Sequence, residues 1–168
     1  MAAVAPSTAA QNLPQMLTFE SDAFADGEVV PQRHTCDGSN VAPPLKWRGV
    51  PDETAELILL LEDPDADDEV FVHWMVAGLD PNLPELPEDF VPETAQVGLN
   101  DYGSADYRGP CPPQGEDAHR YVFTLLAVRE RTLVGARFTA SELADLLADN
   151  VLAVGQLVAR SGRTGLGV

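Results

Sequence analysis

Lysine is almost missing from this chain. Lys46 is the only one, and nine arginines complete a cationic set of 10 against 27 aspartates and glutamates. The resulting net charge of −17 repels nucleic acid and anionic lipid, and argues against both as stable partners. Such a surface suits a salt-loving host, although a GC-rich genome that replaces lysine by arginine would produce a similar bias. Cysteine is scarce too. Cys36 and Cys111 are too few for a disulfide scaffold and form no CxxC knuckle, so two reduced, buried thiols are the first expectation, with a bond between them left open as the alternative. No run approaches the ~18 apolar residues of a membrane-spanning helix. The opening "MAAVAPSTAAQNLPQM" has neither the basic start nor the continuous apolar stretch of a secretion signal. It is read as a flexible tail over residues 1–16, with the cytoplasm as default address.

What the chain does have is 168 residues, enough for one domain with a sizeable core, and a hydrophobic content of 45%. Fourteen prolines and 13 glycines imply many turns and argue against a helical bundle. "AELILLLE" (55–62) and "EVFVHWMVAGL" (69–79) are continuous apolar runs, as expected of strands covered on both faces. "RYVFTLLAVRE" (120–130) and "VLAVGQLVAR" (151–160) are further strands, with "MLTFES" and "PLKWRG" as shorter ones. One helix stands out in "TASELADLLADN". Thr139 and Glu142 have capping-box spacing, and Leu143, Leu146 and Leu147 share a face. The fold class is therefore mostly β, two packed sheets with few short helices.

The unusual residues fall in the turn-rich loops. Of three histidines, His34 lies in a polar stretch and is expected to be exposed. His73 sits inside an apolar run, where a charged imidazole is costly unless paired. His119 stands where "YRGPCPPQGEDAHRY" enters a strand, and Asp63 closes the strand before His73. If those strands are neighbours, one carboxylate and two imidazoles converge. Such a cluster suits a transition metal, acid–base hydrolysis, or an anion held by imidazole and backbone N–H groups. No HExxH or GxSxG pattern supports the first two, and Ser104 lacks a nucleophile's context. The glycines and prolines of the loop could instead aim backbone N–H groups at one anion. "DPDADDE" lacks the spacing of a calcium loop and reads as a solvated acidic turn.

"CDGSNVAPPLKW", "LLLEDPDA", "FVHWMV", "NDYG", "YRGPCPPQG" and "HRYVFTLLAV" occur in an order that resembles the phosphatidylethanolamine-binding protein family. The likeness is greatest to its bacterial and archaeal, Raf kinase inhibitor-like branch. The resemblance covers residues 17–160 as a single domain, leaving 161–168 as a C-terminal tail. It implies a two-sheet β-sandwich with a small pocket for phosphate, acetate, cacodylate or a phosphoethanolamine head group. By motif position the pocket residues would be Asp63, His73, His119 and Tyr121. Gly109, Pro110, Pro112 and Pro113 would form a wall, with Trp74 and Asp37 close by. Arg120 would point away as an anchor, since alternate strand residues face opposite sides. Asp67 stands where many relatives have proline, so the pocket rim differs.

The function expected is non-enzymatic binding of a small anion or phosphorylated head group, by a monomer or homodimer, with no cofactor and no metal. A hydrolase or lyase using the same His/Asp pocket is the alternative, and a kinase or protease inhibitor a further one. Asp63 beside His73 or His119 should favour imidazolium and strengthen anion binding below neutral pH.

Overall fold

The structure is a computed structural model of the chain, in which residues 13–163 are described. The strands are β1 (Gln15–Met16), β2 (Thr18–Glu20), β3 (Leu45–Arg48), β4 (Glu56–Asp63) and β5 (Phe71–Leu79), then β6 (Glu85–Leu86), β7 (Gln96–Val97), β8 (His119–Val128) and β9 (Val151–Ser161), with one helix α1 (Ala140–Leu147) before β9. They form a six-stranded sheet in the order β1-β9-β8-β4-β5-β7 and a three-stranded sheet β2-β3-β6. Pairing is antiparallel except for β1, which runs parallel to β9.

The continuous apolar runs are explained by two cores. Leu57, Leu59 and Leu61 of β4 face the small sheet, where they pack with Phe19, Leu45, Trp47 and Leu86. Ile58 belongs to the opposite face, with Val72, Met75, Leu126 and Val128 under Phe138 and Leu143. A central strand buried on both sides cannot alternate polar and apolar residues, because either choice would put a polar group in a core. The helix closes the second core with the expected capping box: Thr139 Oγ1 accepts from the Glu142 N–H at 3.1 Å, and Glu142 Oε2 accepts from the Thr139 N–H at 2.9 Å. Only part of its apolar stripe is used. Leu143 is buried and Leu147 packs on the core's edge, whereas Leu146 is 41% exposed.

Four expectations need correction. Cys36 and Cys111 are not reduced thiols but a disulfide, with Cα atoms 5.4 Å apart. The Cys36 N–H donates to the Pro110 carbonyl at 3.1 Å, which brings the two loops into bonding range. His34 is buried at 2% exposure, its Nδ1 donating to the Val41 carbonyl at 2.9 Å. The tail boundary at residue 16 is late, since Gln15 and Met16 pair with Ala153 and Val154 of β9. At the other end Ser161 still pairs with His119, and Arg163 bridges to Gln114. Residues 1–12 and 164–168 of the expected tails lie outside the described residues.

The β4–β5 ladder has one irregularity that bears on His73. Leu61 pairs with Trp74 and Glu62 with Val72, so His73 opposes no residue of β4. It is the extra residue of a β-bulge, a device that re-aims a side chain.

Candidate functional site

Because β4 lies between β5 and β8, three strand ends meet at one corner of the large sheet. Asp63 is the last residue of β4, His119 the first of β8, and His73 the bulged residue near the start of β5. All three are buried. Asp63 Oδ2 accepts from His119 Nδ1 at 2.7 Å, while its Oδ1 accepts from the Asp65 N–H at 2.8 Å. The Arg108 carbonyl accepts from His73 Nδ1 at 2.7 Å. Tyr121 lies between the imidazoles, edge-on to His73 at 5.3 Å and stacked on His119 at 6.3 Å. Phe71 and Tyr102 pack edge-on against His73 at 5.1 and 5.8 Å. These groups enclose a cavity of about 160 Å³, completed by Ala66, Asp67, Cys111, Pro112 and Pro113.

The two imidazoles are driven in opposite directions. Burial pulls His73 below the ordinary histidine value, against the Arg108 carbonyl and the Asp63 charge, which raise it. His119 also loses by desolvation, but the Asp63 hydrogen bond and charge, helped by Asp65 and Glu116, outweigh that and raise it. Asp63 therefore favours imidazolium at both rings, as expected, but only at His119 does its pull outweigh burial. Burial, the dominant cause, and the Asp63 charge push the Tyr121 phenol well up, so it stays protonated as a donor.

The remaining sequence-selected residues lie elsewhere. Trp74 is buried in the inter-sheet core, edge-on to Tyr107 at 5.3 Å. Asp37 pairs with Arg163 through two 3.0 Å contacts in a neighbouring groove. Gly109 and Pro110 sit behind the cavity. The Gly109 N–H donates to Asn40 Oδ1 at 2.8 Å, and the prolines have no N–H to offer. The Gly109 amide and the three prolines thus contribute no donors to the cavity, and Cys111, whose backbone N–H faces the Tyr121 hydroxyl, is the loop's one donor there among these residues. Arg120 points outward to Asp65, with contacts of 2.8 and 3.1 Å, as strand alternation implies. Asp65 is accordingly no idle member of a solvated turn: the Arg120 guanidinium holds its carboxyl down at about 2.

Sequence reasoning missed Ala66, Phe71 and Tyr102 as lining residues, whereas Asp67 stands at the rim where the motif put it and Cys111 in the loop wall. Tyr102 lies in the "NDYG" motif, which was the available signal; Phe71 looked like any core aromatic of an apolar strand. Among the described residues no group of three or more His, Cys, Asp or Glu side chains is disposed to hold a metal ion.

The model of the phosphatidylethanolamine-binding protein family matches residues 20–162. The chain belongs to that family. Among its relatives is a UPF0098 protein of Methanothermobacter thermautotrophicus, 42% identical over 117 residues, covering 67% of this chain and 76% of the relative. Another is LppC of Mycobacterium tuberculosis, a protein whose name carries a lipoprotein label, 42% identical over 123 residues. That match covers 73% of this chain and 59% of LppC. Two solved members of the family share the fold. The Chlamydia trachomatis homologue CT736 superposes with a TM-score of 0.83 at 30% identity, covering 89% of this chain and 99% of its own. E. coli YbcL gives 0.81 at 27%, covering 87% and 98%. The mostly β, two-sheet architecture is thus that of a phosphatidylethanolamine-binding protein.

Proposed function

We propose that this chain binds a small oxyanion, inorganic phosphate or a phosphorylated head group, in the pocket of Asp63, His73, His119 and Tyr121. The observation that carries the reading is the His119–Asp63 pair. A carboxylate on Nδ1 holds the ring in place and favours its charged form, leaving Nε2, which stands 3.7 Å from Glu116 Oε2, as the nitrogen free to donate to a ligand. The size agrees. At about 160 Å³ the cavity has room for a phosphate group, well short of the ~300–1,000 Å³ typical of larger organic ligands. The acidic surface does not prevent this, because screening confines its repulsion to about 10 Å at 0.1 M salt.

The test is a calorimetric titration with phosphate, repeated for His119→Ala. A drop in affinity of at least tenfold is expected, about the worth of one charge-assisted hydrogen bond. Affinity of the wild type should also fall as pH rises through the raised His119 value, because the donor proton is lost there. Unchanged affinity in a folded His119→Ala protein refutes the reading.

A second reading rests on the opposed displacement of the two imidazoles, which resembles an acid–base pair. It predicts turnover of a phosphomonoester that disappears in both His73→Ala and His119→Ala. The inhibitor reading gains nothing from the fold. A carboxypeptidase Y inhibitor solved with its cognate proteinase is only 17% identical, with a TM-score of 0.56.

Among the described residues no helix is long and apolar enough to cross a membrane. A cytoplasmic address would expose the Cys36–Cys111 bond to reducing pools, whereas an oxidising compartment preserves it. We favour the latter; thiol labelling in intact cells distinguishes them.

A further inference from the structure

The ring nitrogens of His73 carry information about the ligand that charge alone does not. Its Nδ1 lies 2.7 Å from the Arg108 carbonyl, and a carbonyl oxygen can only accept. The proton is therefore assigned to Nδ1, and in the neutral ring Nε2 is left as a lone pair. His73 is 3% exposed and lines the cavity, so water cannot readily satisfy that lone pair once a ligand has entered. Across the cavity, protonated His119 does the reverse: its Nδ1 is taken by Asp63, and Nε2–H donates. One wall accepts and the other donates.

The geometry points to a pocket that requires one proton from its ligand: it takes a singly protonated oxyanion, such as the monoanion of phosphate or of a phosphomonoester, and disfavours an oxyanion with no hydroxyl. This rests on the oxyanion reading of the same pocket. A fully deprotonated oxyanion has only acceptors, and would place one against the buried His73 lone pair. A single P–OH removes that conflict while a P–O⁻ still receives the His119 proton.

The surroundings act in the same direction. Asp63 comes from β4, Asp65 and Asp67 from the turn after it, and Asp101 and Glu116 from the loops before β8. Glu116 Oε2 stands 3.7 Å from His119 Nε2. Tyr102 and Tyr121 face the rings as neutral phenols, and the nearby guanidiniums are paired with carboxylates: Arg108 with Asp106, Arg120 with Asp65, and Arg163, which reaches Cys111 Sγ at 4.0 Å, with Asp37. A second negative charge on the ligand therefore meets carboxylates, not free cations. Burial of His73 keeps its ring neutral under conditions where His119 is charged.

Three ligands of one shape class separate the effects, titrated into the wild-type protein at about pH 6, where His119 is charged and a phosphate monoanion is populated. Phosphate has the hydroxyl. Sulfate has the shape without it, and dimethyl phosphate has the single charge without it. Phosphate is expected to bind roughly tenfold to a hundredfold tighter than either, the penalty for facing an unpaired buried acceptor. His73→Gln, which can turn an amide N–H to the ligand, should narrow the gap. Because that variant could disturb the bulge, ¹⁵N NMR of the wild-type imidazoles provides an independent check: His73 must show a protonated Nδ1 and a bare Nε2. Equal affinity for all three ligands, or a protonated Nε2 on His73, overturns this inference while leaving oxyanion binding intact. Binding of none of them overturns the oxyanion reading itself.

Discussion

Gly109 is the residue on which the pocket wall turns. A Cβ there would overlap the His34 carbonyl and lie 2.7 Å from Asn40 Oδ1, the atom that accepts the Gly109 N–H. Those neighbours cannot step aside, since the His34 carbonyl also accepts the Tyr107 hydroxyl at 2.7 Å. Gly109→Ala should cost about 1–3 kcal/mol, the range for forced overpacking, as read by denaturant unfolding. It should also weaken phosphate binding, because the adjoining Arg108 carbonyl orients His73. Retained stability would mean that the loop yields more readily than its hydrogen bonds imply. At this scale the sequence was a good guide to residue types and a poor one to partners. Asp63, His73 and His119 could be picked out because ionisable groups at or in apolar strands require company, while Tyr121 came only from the family resemblance. That Asn40 would take the Gly109 amide depends on two loops 69 residues apart, and no local pattern encodes it.

Elements were legible in proportion to their length. The four long strands announce themselves by apolar runs, and α1 by its cap, but two-residue strands such as β6 and β7 carry no period to detect. The bulge at His73 was invisible for a related reason. Alternation predicts faces only while the ladder stays in step, and the slip is settled by pairing with β4. The helix supplies a control distant from the pocket. Thr139→Ala removes the side chain that caps α1 and should cost about 1 kcal/mol in thermal or denaturant unfolding. Phosphate affinity should not move, since α1 covers the face built from Ile58, Met75 and Leu143. A loss of affinity would show that the two cores communicate, contrary to their separation across the large sheet.

For the whole molecule the Cys36–Cys111 bond is the covalent constraint that composition concealed. A separation of 75 residues says nothing about proximity; the contact arises because the chain passes through β3 to β7 and returns. Closing a loop of that size is worth about 4 kcal/mol in the chain-entropy account. The double Cys36→Ser, Cys111→Ser variant should therefore unfold at clearly lower denaturant concentration, and bind phosphate more weakly because Cys111 lines the cavity. An unchanged midpoint would assign the bond no part in stability. The bond also alters the topology of damage. A protease that cuts once anywhere between residues 37 and 110 severs the backbone but not the molecule, because both fragments remain tied through sulfur. The nicked protein would keep its mass until a reductant is added and then fall into two pieces, so an electrophoretic comparison with and without reductant records cuts in this span that an oxidised sample conceals.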